Sequence, residues 1–149
     1  MTELELKAYM PFLVNRTGSL FADSFSKVLE RHSLNVPTWR LLVSVSEEEG
    51  LRAGQLASLT SVEPWTVSRL LKVLVKKNLI RREHESEDAR AVTIYPTDKG
   101  RQIVTELVPH ALHLEATALK GFTSREIKLL QDLLARLYEN LNQTEKTPQ

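Results

Sequence analysis

From Pro64 to Arg82 the chain reads PWTVSRLLKVLVKKNLIRR, with six basic residues (Arg69, Lys72, Lys76, Lys77, Arg81, Arg82) and no acidic one. Val67, Leu70, Leu71 and Leu74 recur at helical spacing, which puts them on one face of a helix from Pro64 to about Lys77. Thr66, Ser68, Arg69, Lys72 and Lys76 fall largely elsewhere on that helix. Asn78 stands just past its end, where a left-handed residue closes a helix; glycine is the usual choice there and asparagine the next best. Such a helix must lie on a domain with its apolar stripe inward and its cations outward. The net charge of all 149 residues is only +1, so the remainder of the chain is net acidic and the positive charge is local.

The flanking sequence reads mostly as helix. A first helix spans about 11–32, with Pro11 suited to its first turn and Phe12, Leu20, Phe21, Phe25, Val28 and Leu29 forming a broad apolar face. Pro37 holds Val36 extended and opens a second helix, about 37–48, which Gly50 ends. A short third helix, about 53–60, turns Leu56 and Leu59 inward. After the basic helix, Leu79–Glu83 and Ala91–Tyr95 alternate as two short strands around a polar tip, 84–90. Thr97 caps a long fifth helix, about 97–120, with Pro109 inside it as a source of a kink and Gly121 at its end. The capping box TSRE, with Thr123 as cap and Glu126 three residues on, starts a sixth helix striped with Ile127, Leu130, Leu134, Leu137, Tyr138 and Leu141. Residues 143–149 read as a flexible polar tail.

Composition narrows the classes of function. A hydrophobic share of 42% with 26% charged residues is that of an ordinary globular domain. With no cysteine there is no disulfide framework and no thiolate metal site. No signal peptide and no membrane span is visible, so a cytoplasmic protein is expected. No phosphate-cradling glycine loop, nucleophile elbow or set-apart carboxylate pair occurs, so neither an enzyme nor a cofactor is expected.

Two short helices joined by a tight turn and followed by a hairpin make a winged helix-turn-helix, whose second helix enters the DNA major groove. The fold class is therefore mainly α with a small β-hairpin wing. Residues 37–96 form the DNA-binding lobe, and helices in 11–36 and 97–142 form a dimerisation region. Pro64, Trp65, Thr66, Ser68 and Arg69 lie in the first half of the basic helix, where free N–H groups meet phosphate and side chains meet base edges. Arg69 is the candidate for bidentate reading of guanine. Lys72, Lys76 and Lys77 suit backbone contact or simple field effects, and Arg82 is a further DNA-contact candidate. The competing reading is a solvated basic face on a core helix. Trp65 either packs under the turn or meets a sugar or a thymine methyl. At the wing, Asp88 orients Arg90 towards a minor groove, or the two form a plain surface ion pair.

The segments VPTWRLLVSV, GQLASLTSVEPWTVSRLLKVLVKKNLIRR, EDARAVTIYPTDKGRQI and FTSREIKLLQDLLARLYENL, in this order, resemble the MarR family of bacterial transcriptional regulators. The resemblance covers about 11–142. It matches Asp88 and Arg90 to the family's wing Asp-x-Arg, and Thr66, Ser68 and Arg69 to recognition-helix positions. Ser61 and Asn78 stand where the family often has glycine, and Glu63 is one carbon too long for a good N-cap. The resemblance implies a homodimer on a pseudo-palindromic operator, acting as a repressor that a small, often aromatic or phenolic, effector releases.

For an effector, Asn15, Arg16 and Ser19 interrupt the first apolar helix, and Trp39 and Arg40 follow on the second. An arginine beside aromatic rings suits an aromatic carboxylate, whereas the plain alternative is an intersubunit salt bridge or a solvated side chain. His110 and His113 stand three apart, so a metal-responsive regulator of the same fold is the alternative, although two histidines at helical spacing usually just share a helix face and no metal site is assigned. A winged helix that binds protein instead of DNA is a further one, and the acidic wing tip favours it.

Overall fold

The structure, a computed structural model, describes residues 4–85 and 88–145. Its elements run α1 (Met10–Glu30), α2 (Val36–Glu47), α3 (Ala53–Thr60), α4 (Pro64–Lys76), β1 (Ile80–Glu85), β2 (Asp88–Pro96), α5 (Asp98–Ala118) and α6 (Ser124–Glu145). The chain divides into two compact units, 1–114 and 115–149. Among the described residues no helix is long and apolar enough to cross a membrane.

Local chemistry sets the helix starts. Proline occupies the first turn of α1, α2 and α4, where its missing N–H costs nothing. Asn35 and Thr38 close a capping box on α2: the Thr38 N–H donates to Asn35 Oδ1 at 3.0 Å and the Asn35 N–H to Thr38 Oγ1 at 3.0 Å. That box starts the helix at Val36, one residue before the proline expected to open it. The tight turn after α3 is made by Ser61 in the left-handed region, φ 55°. Asn78 closes α4 in the same region at φ 58°, as its position after the apolar stripe indicates.

Unit 1 has one core. Leu29, Leu41, Leu42, Val45, Leu56, Val67, Leu71, Leu74, Leu79, Ile80, Ile94 and Leu107 are essentially fully buried, drawn from α1 through α5. Each is worth roughly 1.5–3 kcal/mol of transfer free energy. Leu59 departs from expectation: it is 58% exposed, because the eight-residue α3 turns Leu56 and the adjacent Ala57 inward. Only Phe25 and Leu29 of α1 are buried, and Leu20 and Phe21 of its apolar face stay exposed.

β1 and β2 pair antiparallel from Ile80↔Pro96 to His84↔Val92, then slip at a bulge to Glu85↔Asp88. The ladder thus reaches into residues expected to be loop, since the pairing is made by backbone groups and needs no side-chain alternation. An isolated bridge joins Leu51 to Ile94, with the Gly50 N–H donating to the Ile94 carbonyl at 2.9 Å, so the hairpin base is pinned to the α2–α3 connection.

The start of α5 is seated on the turn that leaves α4. The Thr97 N–H donates to the Leu79 carbonyl (3.0 Å), Thr97 Oγ1 donates to the Asn78 carbonyl (2.6 Å) and accepts from the Gly100 N–H (3.0 Å), and Lys99 Nζ donates to the Lys77 carbonyl (3.2 Å). A Cβ at Gly100 would lie 2.0 Å from the Leu79 carbonyl oxygen, so only glycine permits this approach. Arg101 pairs with Glu49, just beyond α2, and the hydrogen bond from Arg101 holds the Glu49 carboxyl below its ordinary value. α5 runs on through Pro109, whose ring deprives the Thr105 carbonyl of its usual amide donor.

In unit 2 the expected capping box is present, with the Thr123 N–H donating to Glu126 Oε2 at 2.7 Å and the Glu126 N–H to Thr123 Oγ1 at 3.2 Å. α6 continues to Glu145, so residues 143–145, expected as tail, extend the helix; 146–149 lie outside the described residues. None of its residues is buried, and Leu129, Leu130, Leu133, Leu134, Leu137, Tyr138 and Leu141 are exposed.

Candidate nucleic-acid interface

α4 separates its two faces cleanly. Val67, Leu70, Leu71 and Leu74 are buried, while Pro64, Trp65, Ser68, Arg69, Lys72 and Lys76 are exposed and Thr66 is half-buried. The exposed set repeats at helical spacing, so it forms one continuous face about three turns long. Glu63 makes no side-chain cap, in keeping with its length, and the N–H groups of the first turn keep an open end next to that face. Partial positive charge at the helix start adds to the cations along it. Trp65 does not pack under the turn: 69% of it is exposed, in the first turn, with Ser68 and Arg69 three and four residues on.

The hairpin brings further cations, and two of its acids, Glu83 and Glu85, face arginines. Arg82 and Arg90 are exposed on β1 and β2. Arg52, at the start of α3, donates to both carboxylate oxygens of Glu85 at 3.2 Å, and Arg81 pairs with Glu83 while its guanidinium stacks 4.7 Å from the Tyr95 ring centroid. These are half-exposed surface pairs of little stabilising worth. Their effect is to cancel negative charge along β1. The expected Asp88–Arg90 pair rests on the Asp88 side chain, which lies outside the described residues, as do Ser86 and Glu87. Sequence reasoning missed Arg52 and Lys99 as neighbours of this region. Arg52 meets a partner 33 residues away and Lys99 one 22 away, and no spacing rule links such positions.

The candidate effector residues do not share one place. Trp39 and Arg40 line an open hollow of about 340 Å³ with Val43, Ser44, Leu59 and Thr60. Trp39 itself is a core residue, 8% exposed and edge-on to Phe25 at 5.6 Å between centroids. Asn15, Arg16 and Ser19 are exposed on α1, roughly two to three turns before Phe25, hence about 9–15 Å away along the helix axis. Arg16 has no hydrogen bond or ion pair among the described residues. His110 and His113 are exposed on α5, and no group of three possible metal ligands occurs among the described residues.

Comparison with known proteins agrees with this geometry. The sequence profile of the MarR family matches residues 34–92. The HTH-type transcriptional regulator TtmR of Methylorubrum extorquens is 30% identical over 139 residues, 92% of this chain and 69% of that protein. A MarR family transcriptional regulator from Silicibacter pomeroyi has a similar structure, with TM-score 0.81 and 29% identity over 93% of this chain and 96% of that one. A MarR family regulator from Listeria monocytogenes, solved in complex with a 26mer DNA, superimposes with TM-score 0.83 at 25% identity, covering 95% of this chain and 90% of that one.

Proposed function

The chain belongs to the MarR family of transcriptional regulators, and we propose that it is a cytoplasmic repressor that binds a pseudo-palindromic operator as a homodimer. The observation that carries the DNA-binding reading is the exposed face of α4: cations and hydroxyls at helical spacing, an open helix start, and an apolar stripe wholly turned to the core. Arg69 reads a base edge, Pro64, Thr66 and Ser68 set the helix start against phosphate, and Lys72, Lys76 and Arg82 neutralise backbone charge. Arg90, oriented by Asp88, enters the neighbouring minor groove. The Listeria regulator solved with DNA supports this reading over a protein-only role. So does the pairing of Glu83 and Glu85 with arginines, which lessens the negative charge along β1.

Two-fold symmetry of the dimer places half-sites about one helical turn apart. A small aromatic acid releases the operator by occupying the hollow beside Arg40, whose guanidinium matches a carboxylate. Selection of bound sequences from random duplexes, then titration at two salt concentrations, tests the core of the proposal. The expected result is a pseudo-palindrome bound with a steep salt dependence. Binding that enriches no sequence and ignores salt would leave the basic face of α4 to a protein partner.

A further inference from the structure

We propose that Trp65 is a specificity-determining residue that reads the C5-methyl group of a thymine in each half-site. The inference rests on the DNA-binding reading above and deepens it, because it names a base that the operator must contain. Tryptophan is the largest side chain available, and this one is 69% exposed with neither core nor turn packed over it. Its neighbours on the same face are Ser68 and Arg69, at helical contact distance, with Lys72 and Lys76 beyond. A cationic face of this kind complements a polyanion, so the surface the indole meets is that of a duplex.

Within a duplex the bases are stacked, and only their edges face the groove. The thymine methyl is the one apolar group that projects into the major groove, among the donors and acceptors N7, O6, O4 and the amino groups. A recognition helix presents its N-terminal residues to base edges, and Trp65 stands second in α4, immediately after Pro64 has fixed the start. The indole ring thus loses water against the methyl group while its N–H, a donor only, faces an acceptor such as thymine O4 or a phosphate oxygen. Residues 65 and 69 are about one turn, ~6 Å, apart along the axis, against about 3.4 Å per base step. The thymine therefore lies within about two base pairs of the position that Arg69 reads.

The test uses the full-length protein and the duplex enriched by selection, with each thymine replaced in turn by deoxyuridine, which differs only by lacking the methyl group. The expected result is one position per half-site at which the replacement weakens the unaltered protein about fourfold, the worth of one buried methyl. Trp65→Ala should bind the uridine and thymine duplexes equally, and Arg69→Ala should keep the uridine effect. Uridine silent at every position overturns the inference while the DNA-binding reading stands, and that arm needs no variant to fold. So does a uridine effect that persists in Trp65→Ala, or one centred far from the Arg69 position. A uniform loss in Trp65→Ala on all duplexes would make the indole a sugar–phosphate contact instead. Failure to enrich any duplex would overturn the DNA-binding reading and this inference together.

Discussion

Arg69 and Lys76 share the exposed face of α4, two turns apart, and differ in what they can recognise. A guanidinium offers two parallel donors that fit guanine O6 and N7, whereas an ammonium is a point charge satisfied by any phosphate. Arg69→Ala should cost about 1–3 kcal/mol of operator binding and relax the preference at one position per half-site. Lys76→Ala should weaken all duplexes alike and reduce the slope of log affinity against log salt by about one. Titration of both variants against operator and scrambled duplex over a range of salt separates the two. Equal losses on both duplexes for Arg69→Ala would remove it from base reading. The types of these residues and their common face were legible from spacing alone. The exposure of Trp65 was not, because a bulky aromatic in the first turn of a helix can pack either way and only the surrounding backbone decides.

At the scale of elements, helices were the legible part because their signals are local: proline in the first turn, an apolar stripe, a left-handed residue after it. α4 carries all three, α6 carries the stripe and a capping box, and both start within a residue of their expected positions. The hairpin was less legible in its length, since strand ends depend on a partner strand and not on their own side chains. Least legible was the seam between α5 and the α4–β1 turn, which joins residues about 20 positions apart through backbone carbonyls. Gly100 marks that seam. In the sequence it looks like a glycine in the first turn of a helix, a mild weakness, yet here it admits the Leu79 carbonyl. Gly100→Ala should therefore destabilise the fold by about 1–3 kcal/mol through overpacking against rigid backbone. Gly54→Ala is the control: nothing lies within 4 Å of its Cβ position in α3, so it should stabilise by about 0.5–1 kcal/mol. Thermal melts of the two variants should move in opposite directions, and a neutral Gly100→Ala would mean that the turn yields to α5.

For the whole molecule, the decisive fact is what a single chain leaves uncovered. α6 is 22 residues long and buries none of them, although leucines recur along it at helical spacing. A helix with such a stripe draws most of its stability from packing that face against something. The proposed homodimer supplies the cover, and it also couples affinity to assembly. Two half-sites joined in one molecule bind with an effective concentration that separate lobes lack, so operator affinity exceeds that of either lobe without any new contact to DNA. Placing charge in the stripe should break both properties at once. The double variant Leu134→Glu/Leu137→Glu should sediment as a monomer. Its unit 1 should still melt cooperatively, because the core there is drawn from α1 through α5. Its binding to a full operator should fall by about 10²-fold or more, towards that of a single half-site, while binding to an isolated half-site changes little. Sedimentation velocity with titrations on full and half operators reads all of these. A variant that remains dimeric would place the dimer contact elsewhere than on this stripe. One that becomes monomeric yet keeps full operator affinity would show that the two lobes bind DNA independently.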